Sequence, residues 1–178
     1  MITTIIATLD DAPRLTATLA ALAPAAIDGF VRQVIVADGG STDGTLEVAE
    51  DAGADVVTTG LAGAAAAARQ PWLLILVPGS RPQVGWEQAA HAHIRDYPAK
   101  AGWFDLALAR TGAGARLAEG LAKIEGGVLA RPRAAQGLLI SRSLLSEIGA
   151  GGTHADIVRK LGSGLLRRLG ARALMGGA

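Results

Sequence analysis

The stretch that decides the fold is Val34-Ile35-Val36-Ala37-Asp38-Gly39-Gly40-Ser41-Thr42-Asp43-Gly44-Thr45. Its first residues are apolar and mostly β-branched, which is typical of a strand buried on both faces. An acidic residue, Asp38, and a polar, glycine-rich turn follow, and a helix pattern begins directly after them. This order predicts a carboxylate and several small residues at the carboxyl end of a strand, where open α/β sheets bind their ligands.

Strand and helix patterns alternate through the first half of the chain. Residues 2–8, 54–58 and 72–77 are short apolar runs that predict further strands, and the last is apolar throughout and therefore central. A helix pattern follows Pro13, and an alanine-rich helix is predicted over residues 60–69. Strands alternating with helices in this way predict a parallel sheet with right-handed crossovers.

Two motifs in this half resemble those of the family 2 glycosyltransferases, which use nucleotide-diphosphate sugars. Residues 34–45 resemble the family's first nucleotide-binding motif, and residues 5–11 resemble its opening motif. The resemblance implies that Asp38 contacts a uracil-type base and that the opening loop borders base and ribose. The residues it assigns to the nucleotide are Thr8, Leu9, Asp11, Asp38 and Gly40. The alternatives are structural: Asp38 in a βα turn without a ligand, and Asp10 or Asp11 as a helix cap.

The same resemblance implies the fold class. Family 2 members have the GT-A fold, so we expect an α/β protein: a three-layer α/β/α sandwich with a mostly parallel, mixed, Rossmann-like sheet. We expect one domain over residues 1–178, with a nucleotide-binding half (1–98) and an acceptor-side half (99–178).

The loop after the fourth strand departs from the family pattern. The family implies a divalent metal, Mn²⁺ or Mg²⁺, held by an aspartate at this point, but Gly79 stands where that carboxylate is expected. The arginine that precedes the alanine-rich helix in active relatives is also missing. Because a departing nucleoside diphosphate is strongly anionic, the loss is a problem for catalysis. Arg81 follows closely and is predicted either to meet phosphate or to be a solvated loop residue.

A second basic stretch lies in the other half of the chain. A strand is predicted over residues 103–109 and a helix over 111–125. The loop that follows resembles a Gly-Asp-Gln-Gly loop of the family, with Gln136 and Gly137 matching. Arg131 and Arg133 in this loop are predicted to face an anionic ligand, with a solvated loop as the alternative.

The C-terminal region supplies the candidate catalytic residue. Residues 153–161 resemble the family's Glu-Asp motif, which implies that Asp156 is the catalytic base of an inverting transfer. The alternative is that Thr153 and Asp156 form a capping box. Residues 162–175 have leucines and arginines at helical spacing, which predicts a basic amphipathic helix. Such a helix packs on its own domain or makes peripheral contact with an anionic membrane.

Composition excludes several classes of protein. The chain has 178 residues, a net charge of +1 and no cysteine. Disulfides and cysteine-based zinc sites are therefore excluded, and a nucleic-acid partner is not indicated. His91 and His93 are two residues apart and do not share a helix face, so they do not predict a metal site. With no signal-peptide pattern at the N-terminus, we expect a cytoplasmic protein.

The leading hypothesis is transfer of a sugar from a nucleotide-diphosphate sugar, UDP-type by resemblance, to an unknown acceptor, with inversion. The alternative is a degenerate, non-catalytic nucleotide-binding or interaction module of the same fold, which the missing metal carboxylate favours. An NAD-binding Rossmann protein is disfavoured because the first βα turn lacks Gly-x-Gly-x-x-Gly.

Overall fold

The computed structural model describes residues 1–108, 133–149 and 151–175. The described strands are β1 (Ile2–Thr8), β2 (Val31–Asp38), β3 (Asp55–Val57), β4 (Trp72–Leu76), β5 (Ser80–Pro82), β6 (Ala101–Leu108), β7 (Leu138–Ser141) and β8 (Leu166–Met175). The described helices are α1 (Ala12–Ile27), α2 (Thr45–Asp51), α3 (Gly60–Ala67), α4 (Trp86–Asp96), α5 (Arg142–Ile148) and α6 (His154–Leu161), with a 3₁₀ turn over Ala134–Gln136.

The described strands form one mixed sheet in the order β3-β2-β1-β4-β7-β6-β8-β5. β3, β2, β1 and β4 run parallel to one another, whereas β7 is antiparallel to both β4 and β6. The first four strands were predicted from the sequence, and the central place predicted for β4 from its continuous apolar run is confirmed. Parallel strands that are buried on both faces need such runs, because helices cover each side.

Helices cover both faces of the sheet, so the three-layer α/β/α architecture is confirmed. One apolar cluster joins α1, α2 and α4 to the sheet through residues that include Leu15, Ala49 and Trp86. The other joins α3, α5 and α6 to the opposite face, with Leu61 and Leu144 among its members. Each cluster is a continuous apolar core, which is how an open sheet of this kind is stabilised.

The prediction of an amphipathic helix over residues 162–175 is wrong, because residues 166–175 form a strand. Gly162 follows the end of α6 at a φ of 60°, and the chain then enters β8, which lies between β6 and β5. Arg167 stacks on the Tyr97 ring at 3.8 Å, and Arg168 lies 3.6 Å from the Asp105 carboxylate. Because these arginines contact the domain itself, the helical membrane face that they were expected to form does not exist.

Two local features run against the usual sequence preferences. α1 continues through Pro24 to Ile27, although proline is disfavoured inside a helix, and the apolar Val84 is fully exposed. The helix predicted over 111–125, and Arg131, lie outside the described residues. Within the described part of the chain, no helix combines the length and the apolar character needed to cross a bilayer.

Candidate functional site

The carboxyl ends of β1, β2 and β4 meet at one edge of the sheet. The three strands are parallel neighbours, so the loops that follow them, residues 9–11, 39–44 and 77–79, emerge side by side. The main-chain N–H of Gly39 donates to the carbonyl of Thr8 at 2.9 Å and extends the β1–β2 contact into the loops. We call this edge, with its three loops, the carboxyl rim, and it is where the fold places a ligand.

The first two loops of the carboxyl rim are bonded directly to each other. The Asp10 carboxylate accepts from the main-chain N–H groups of Thr42 and Asp43 at 2.6 and 3.3 Å, and the Asp10 N–H donates to Ser41 Oγ at 2.9 Å. The Asp11 N–H donates to Thr45 Oγ1, at the start of α2, at 3.0 Å. The two motifs thus lie next to each other, and hydrogen bonds join them directly.

Asp38 has a different environment from the one expected of a nucleotide ligand. Its side chain is 3% exposed. One carboxylate oxygen accepts from the N–H groups of Gly40 and Ser41 at 2.9 and 3.0 Å, and the other accepts from Ser41 Oγ at 2.5 Å. Burial raises the pKa of Asp38, but these hydrogen bonds outweigh it and the net pKa is lowered. The carboxylate is therefore bonded within its own turn, as in the structural alternative given for Asp38, and its contact with a base stays a prediction.

The other expected nucleotide residues occupy the same rim with different exposures. Thr8 is buried, and its Oγ1 has no hydrogen-bond partner within the described residues. Leu9 is 58% exposed and lies against Gly39, whose added Cβ would be 3.5 Å from that of Leu9. Gly40 is exposed, and Asp11 is half-buried. Leu9 and the glycines thus form the accessible apolar part of the rim.

The third loop does not fit a divalent cation. Gly79 has a φ of +87°, and a Cβ added there would lie 3.1 Å from Arg14 Nε and 3.3 Å from Met175 Sδ. A guanidinium therefore fills the direction in which the family's metal carboxylate would extend. Because a cation is repelled by a guanidinium at this distance, the residues present do not suit Mn²⁺ or Mg²⁺.

The carboxyl rim is nevertheless rich in acidic residues, but their carboxylates are hydrogen-bonded or ion-paired within the protein. The Asp43 carboxylate accepts hydrogen bonds from Thr45 Oγ1, from the Thr45 N–H and from the Ala12 N–H. The pKa of Asp43 is lowered, and the hydrogen bond from the Thr45 side chain is the largest cause. Asp11 pairs with Arg14 at 3.3 Å. Across the described residues, no group of three or more histidines or carboxylates could hold a metal ion.

Two of the three arginines predicted to meet phosphate, Arg81 and Arg133, are described, and both lie near this third loop. Arg81 is half-buried on β5, and its Nε is buried with no hydrogen-bond acceptor in the described ranges. Ser80 Oγ donates to the carbonyl of Ala135 at 3.3 Å, so the turn that Arg133 precedes lies against the loop. Gln136 links this turn to β6 by donating to the Phe104 carbonyl at 3.0 Å. The structure thus brings Arg81 and the Arg133 turn to one place.

Asp156 forms the capping box that was the alternative to a catalytic base. Its carboxylate accepts from the Thr153 N–H at 2.8 Å and from Thr153 Oγ1 at 2.9 Å, and it pairs with Arg159 at 2.6 Å. The hydrogen bond from the Thr153 backbone is the largest cause of its lowered pKa. The capping role is confirmed, and the role as base stays a prediction.

The histidines have structural environments. His93 is buried and its Nε2 lies 2.9 Å from the Lys100 carbonyl. His154, at the start of α6, was not singled out in the sequence. It is 9% exposed, and neither ring nitrogen has a hydrogen-bond partner among the described residues.

We expect the buried His154 to make stability depend on pH. Burial lowers its pKa below the ordinary value of 6.5, so the unfolded chain binds more protons than the folded one as pH falls below 6.5. Stability must therefore fall from pH 7.5 to pH 5.5. Thermal unfolding at both values should show a smaller drop for His154→Leu than for the parent, and an unchanged drop would contradict this origin.

Solved structures share this fold over the whole chain. Glucosyl-3-phosphoglycerate synthase from Mycobacterium tuberculosis, in complex with Mn²⁺, UDP-glucose and phosphoglyceric acid, superposes with a TM-score of 0.67 at 20% identity, covering 100% of this chain and 72% of that one. Mannosyl-3-phosphoglycerate synthase from Rubrobacter xylanophilus has a TM-score of 0.62 at 18% identity, covering 100% and 67%. No protein-family model and no curated protein sequence matches the chain.

The similarities to solved structures identify the fold of this chain. The chain has the GT-A fold, as the sequence motifs implied, and its structural neighbours are nucleotide-sugar glycosyltransferases. Some of those neighbours were crystallised with UDP and Mn²⁺ or Mg²⁺. At this level of identity the similarity extends to the fold and no further.

Proposed function

We propose that this chain binds a nucleoside-diphosphate sugar at its carboxyl rim and transfers the sugar to an acceptor. The observation that carries the proposal is the match of the whole chain to the fold of enzymes crystallised with UDP-glucose. The two loops in which the sequence resembles nucleotide-binding motifs also lie together at that edge. UDP is the preferred nucleotide because it is the one bound in those neighbours.

The nucleotide would lie on the rim rather than between its first two loops. Those loops are bonded to each other, so the accessible surface is the one formed by Leu9 and the adjoining glycines. An exposed leucine beside a side-chain-free backbone offers a flat apolar contact for a base, and glycine permits its close approach. The phosphates would then extend toward the third loop and Arg81.

Transfer would proceed by direct displacement with Asp156 as the base. The acceptor oxygen attacks the anomeric carbon, the bond from that carbon to the diphosphate breaks, and the acceptor proton passes to the carboxylate. One displacement inverts the configuration. The lowered pKa keeps Asp156 ionised at neutral pH but makes it a weak base, and its present partners, Thr153 and Arg159, would have to release an oxygen.

A panel of ligands tests the proposal. We expect UDP and at least one UDP-sugar to raise the thermal midpoint in the presence of either Mn²⁺ or EDTA, and AMP to leave it unchanged. Release of UDP from the stabilising sugar, measured with and without 3-phosphoglycerate, then tests transfer. Absence of stabilisation by every nucleoside diphosphate and nucleotide sugar in the panel would contradict the proposal.

Asp156 can be tested as a base separately from its role as a cap. We expect Asp156→Asn to abolish transfer while UDP still binds, because the amide cannot accept the proton. Thr153→Ala is the matched control: it removes the capping hydroxyl and costs about 1 kcal/mol of stability but leaves the carboxylate. If both variants lose the same fraction of transfer activity, the effect is structural and Asp156 is not the base.

A second candidate function is nucleotide binding without transfer. Two observations favour it: the carboxylate of Asp156 is engaged by a cap and an ion pair, and Gly79 stands where the family's metal ligand is expected. Binding of UDP without release of UDP from any sugar donor, across an acceptor panel, would support this function over transfer.

A further inference from the structure

Arg14 is held against the loop in which the family's metal carboxylate is missing. The main-chain N–H of Gly79 lies 3.0 Å from the Arg14 carbonyl and 2.8 Å from Thr18 Oγ1, so α1 anchors this loop through its backbone. The Arg14 guanidinium covers Gly79, with Nε 3.1 Å and Nη2 3.5 Å from the point where a Cβ would lie. The contact between the guanidinium and Gly79 is thus fixed by hydrogen bonds between α1 and the Gly79 N–H.

The Arg14 guanidinium has N–H donors without an acceptor among the described residues. Its recorded partner in the described part of the chain is Asp11, which receives a hydrogen bond from Nη1 at 3.3 Å. Nε is buried and has no acceptor among the described residues. The side chain is nevertheless 43% exposed, so its outer nitrogens remain accessible. A fixed guanidinium with unused donors is a receptor for carboxylate or phosphate oxygens.

β5 carries a second arginine, Arg81, whose Nε is buried in the same way as that of Arg14. Arg81 Nε is also buried without an acceptor in the described ranges, and β5, which carries Arg81, packs beside α1. Among the described residues, Asp38 and Asp43 are hydrogen-bonded within the rim and Asp11 pairs with Arg14, so Arg81 has no carboxylate partner there. This side of the rim thus presents two guanidinium groups, whereas a metal site there would be lined by carboxylates.

We propose that Arg14 replaces the divalent cation, so that the chain binds the diphosphate group of a nucleotide without metal, with Arg81 as a second contact. The inference rests on the proposed function, because it names the chemistry by which that same site holds its ligand. A guanidinium provides a permanent positive charge and paired N–H donors that match phosphate oxygens. Glycine at position 79 leaves room for this arginine, because an added Cβ would lie only 3.1 Å from Arg14 Nε.

Calorimetric titration with UDP in EDTA and in Mn²⁺ tests the inference. We expect the parent to bind UDP in EDTA, with a Kd that Mn²⁺ changes less than about twofold. Arg14→Gln should weaken binding by about tenfold or more, as expected for loss of a charge-assisted hydrogen bond, and Arg14→Lys should weaken it less. Arg81→Gln should also weaken binding. Arg69→Gln is the matched control, because Arg69 is exposed, pairs with Asp55 and precedes β4 at the opposite edge.

The outcomes separate the inference from the proposed function. UDP binding that requires Mn²⁺ and is unaffected by Arg14→Gln would overturn the inference while leaving nucleotide binding intact. Pyrophosphate, titrated in EDTA as a probe without a base, should also bind and lose affinity in Arg14→Gln. If neither UDP nor pyrophosphate binds under any condition, both the inference and the proposed function fail. Circular dichroism of each variant confirms that it is folded.

Discussion

We expect Asp38→Ala to be strongly destabilising, lowering the free energy of unfolding by about 2–3 kcal/mol. The reason is that its buried carboxylate accepts three hydrogen bonds from Gly40 and Ser41 and so fixes the turn between β2 and α2. Hydrogen bonds to a charged group contribute about 1.5–3 kcal/mol each, and the sum is not lost in full because water can reach the Gly40 and Ser41 donors in the variant. Urea unfolding followed by circular dichroism measures the loss.

The matched variant for this prediction is Asp38→Asn. Its amide oxygen can still accept from the turn, so the loss of stability should be smaller than for alanine. Because the carboxylate faces its own turn, we also expect Asp38→Asn to bind UDP within about twofold of the parent, measured where both are folded. A large loss of UDP affinity without loss of stability would restore Asp38 as a nucleotide ligand.

We expect Gly79→Asp to destabilise the chain by about 1–2 kcal/mol and to create no metal site. The left-handed backbone at this position is unfavourable for a residue with a Cβ, and the new Cβ would contact Arg14 Nε and Met175 Sδ. The introduced carboxylate would pair with the Arg14 guanidinium instead of binding a cation, and would thereby compete with an anionic ligand. UDP titration with and without Mn²⁺, together with urea unfolding, measures both effects.

Two controls separate the causes of the Gly79→Asp effect. Gly79→Ala has the same backbone cost without the charge, so it should lose stability but retain more UDP affinity than the aspartate variant. Gly164→Asp adds a carboxylate where an added Cβ meets nothing within 4 Å, and it should change neither property much. The appearance of Mn²⁺-dependent UDP binding in Gly79→Asp would show that the loop can hold a metal after all.

The sequence predicted the parts of the fold that local pattern determines. β1, β2 and β4 were identifiable because a strand covered on both faces is rich in apolar and β-branched residues. β8 was mistaken for a helix because the leucines at 161, 165 and 169 have helical spacing, whereas the strand is stabilised by pairing with β6 and β5. Those partners are distant in sequence, so no local pattern reveals them.

The candidate site was predictable in position but not in chemistry. The two motifs were expected at one edge of the sheet, and they are bonded to each other there. Whether Asp38 faces a ligand or its own turn depends on the direction of three donors in the following residues, which residue types do not specify. Arg14 was missed because its contact with Gly79 joins α1 to a loop far along the chain. The only sequence signal was the glycine itself, which indicated a missing carboxylate but not what replaces it.

A nucleotide site at the carboxyl rim can be located by amide chemical shifts in ¹⁵N-labelled protein titrated with UDP. We expect the amides that shift to belong to residues 8–14, 38–45 and 79–81. The loops at the amino ends of the same strands, residues 29–31, 53–55 and 69–71, should not respond. Saturating UDP that moves no amides, or that moves only those at the amino ends, would contradict the account.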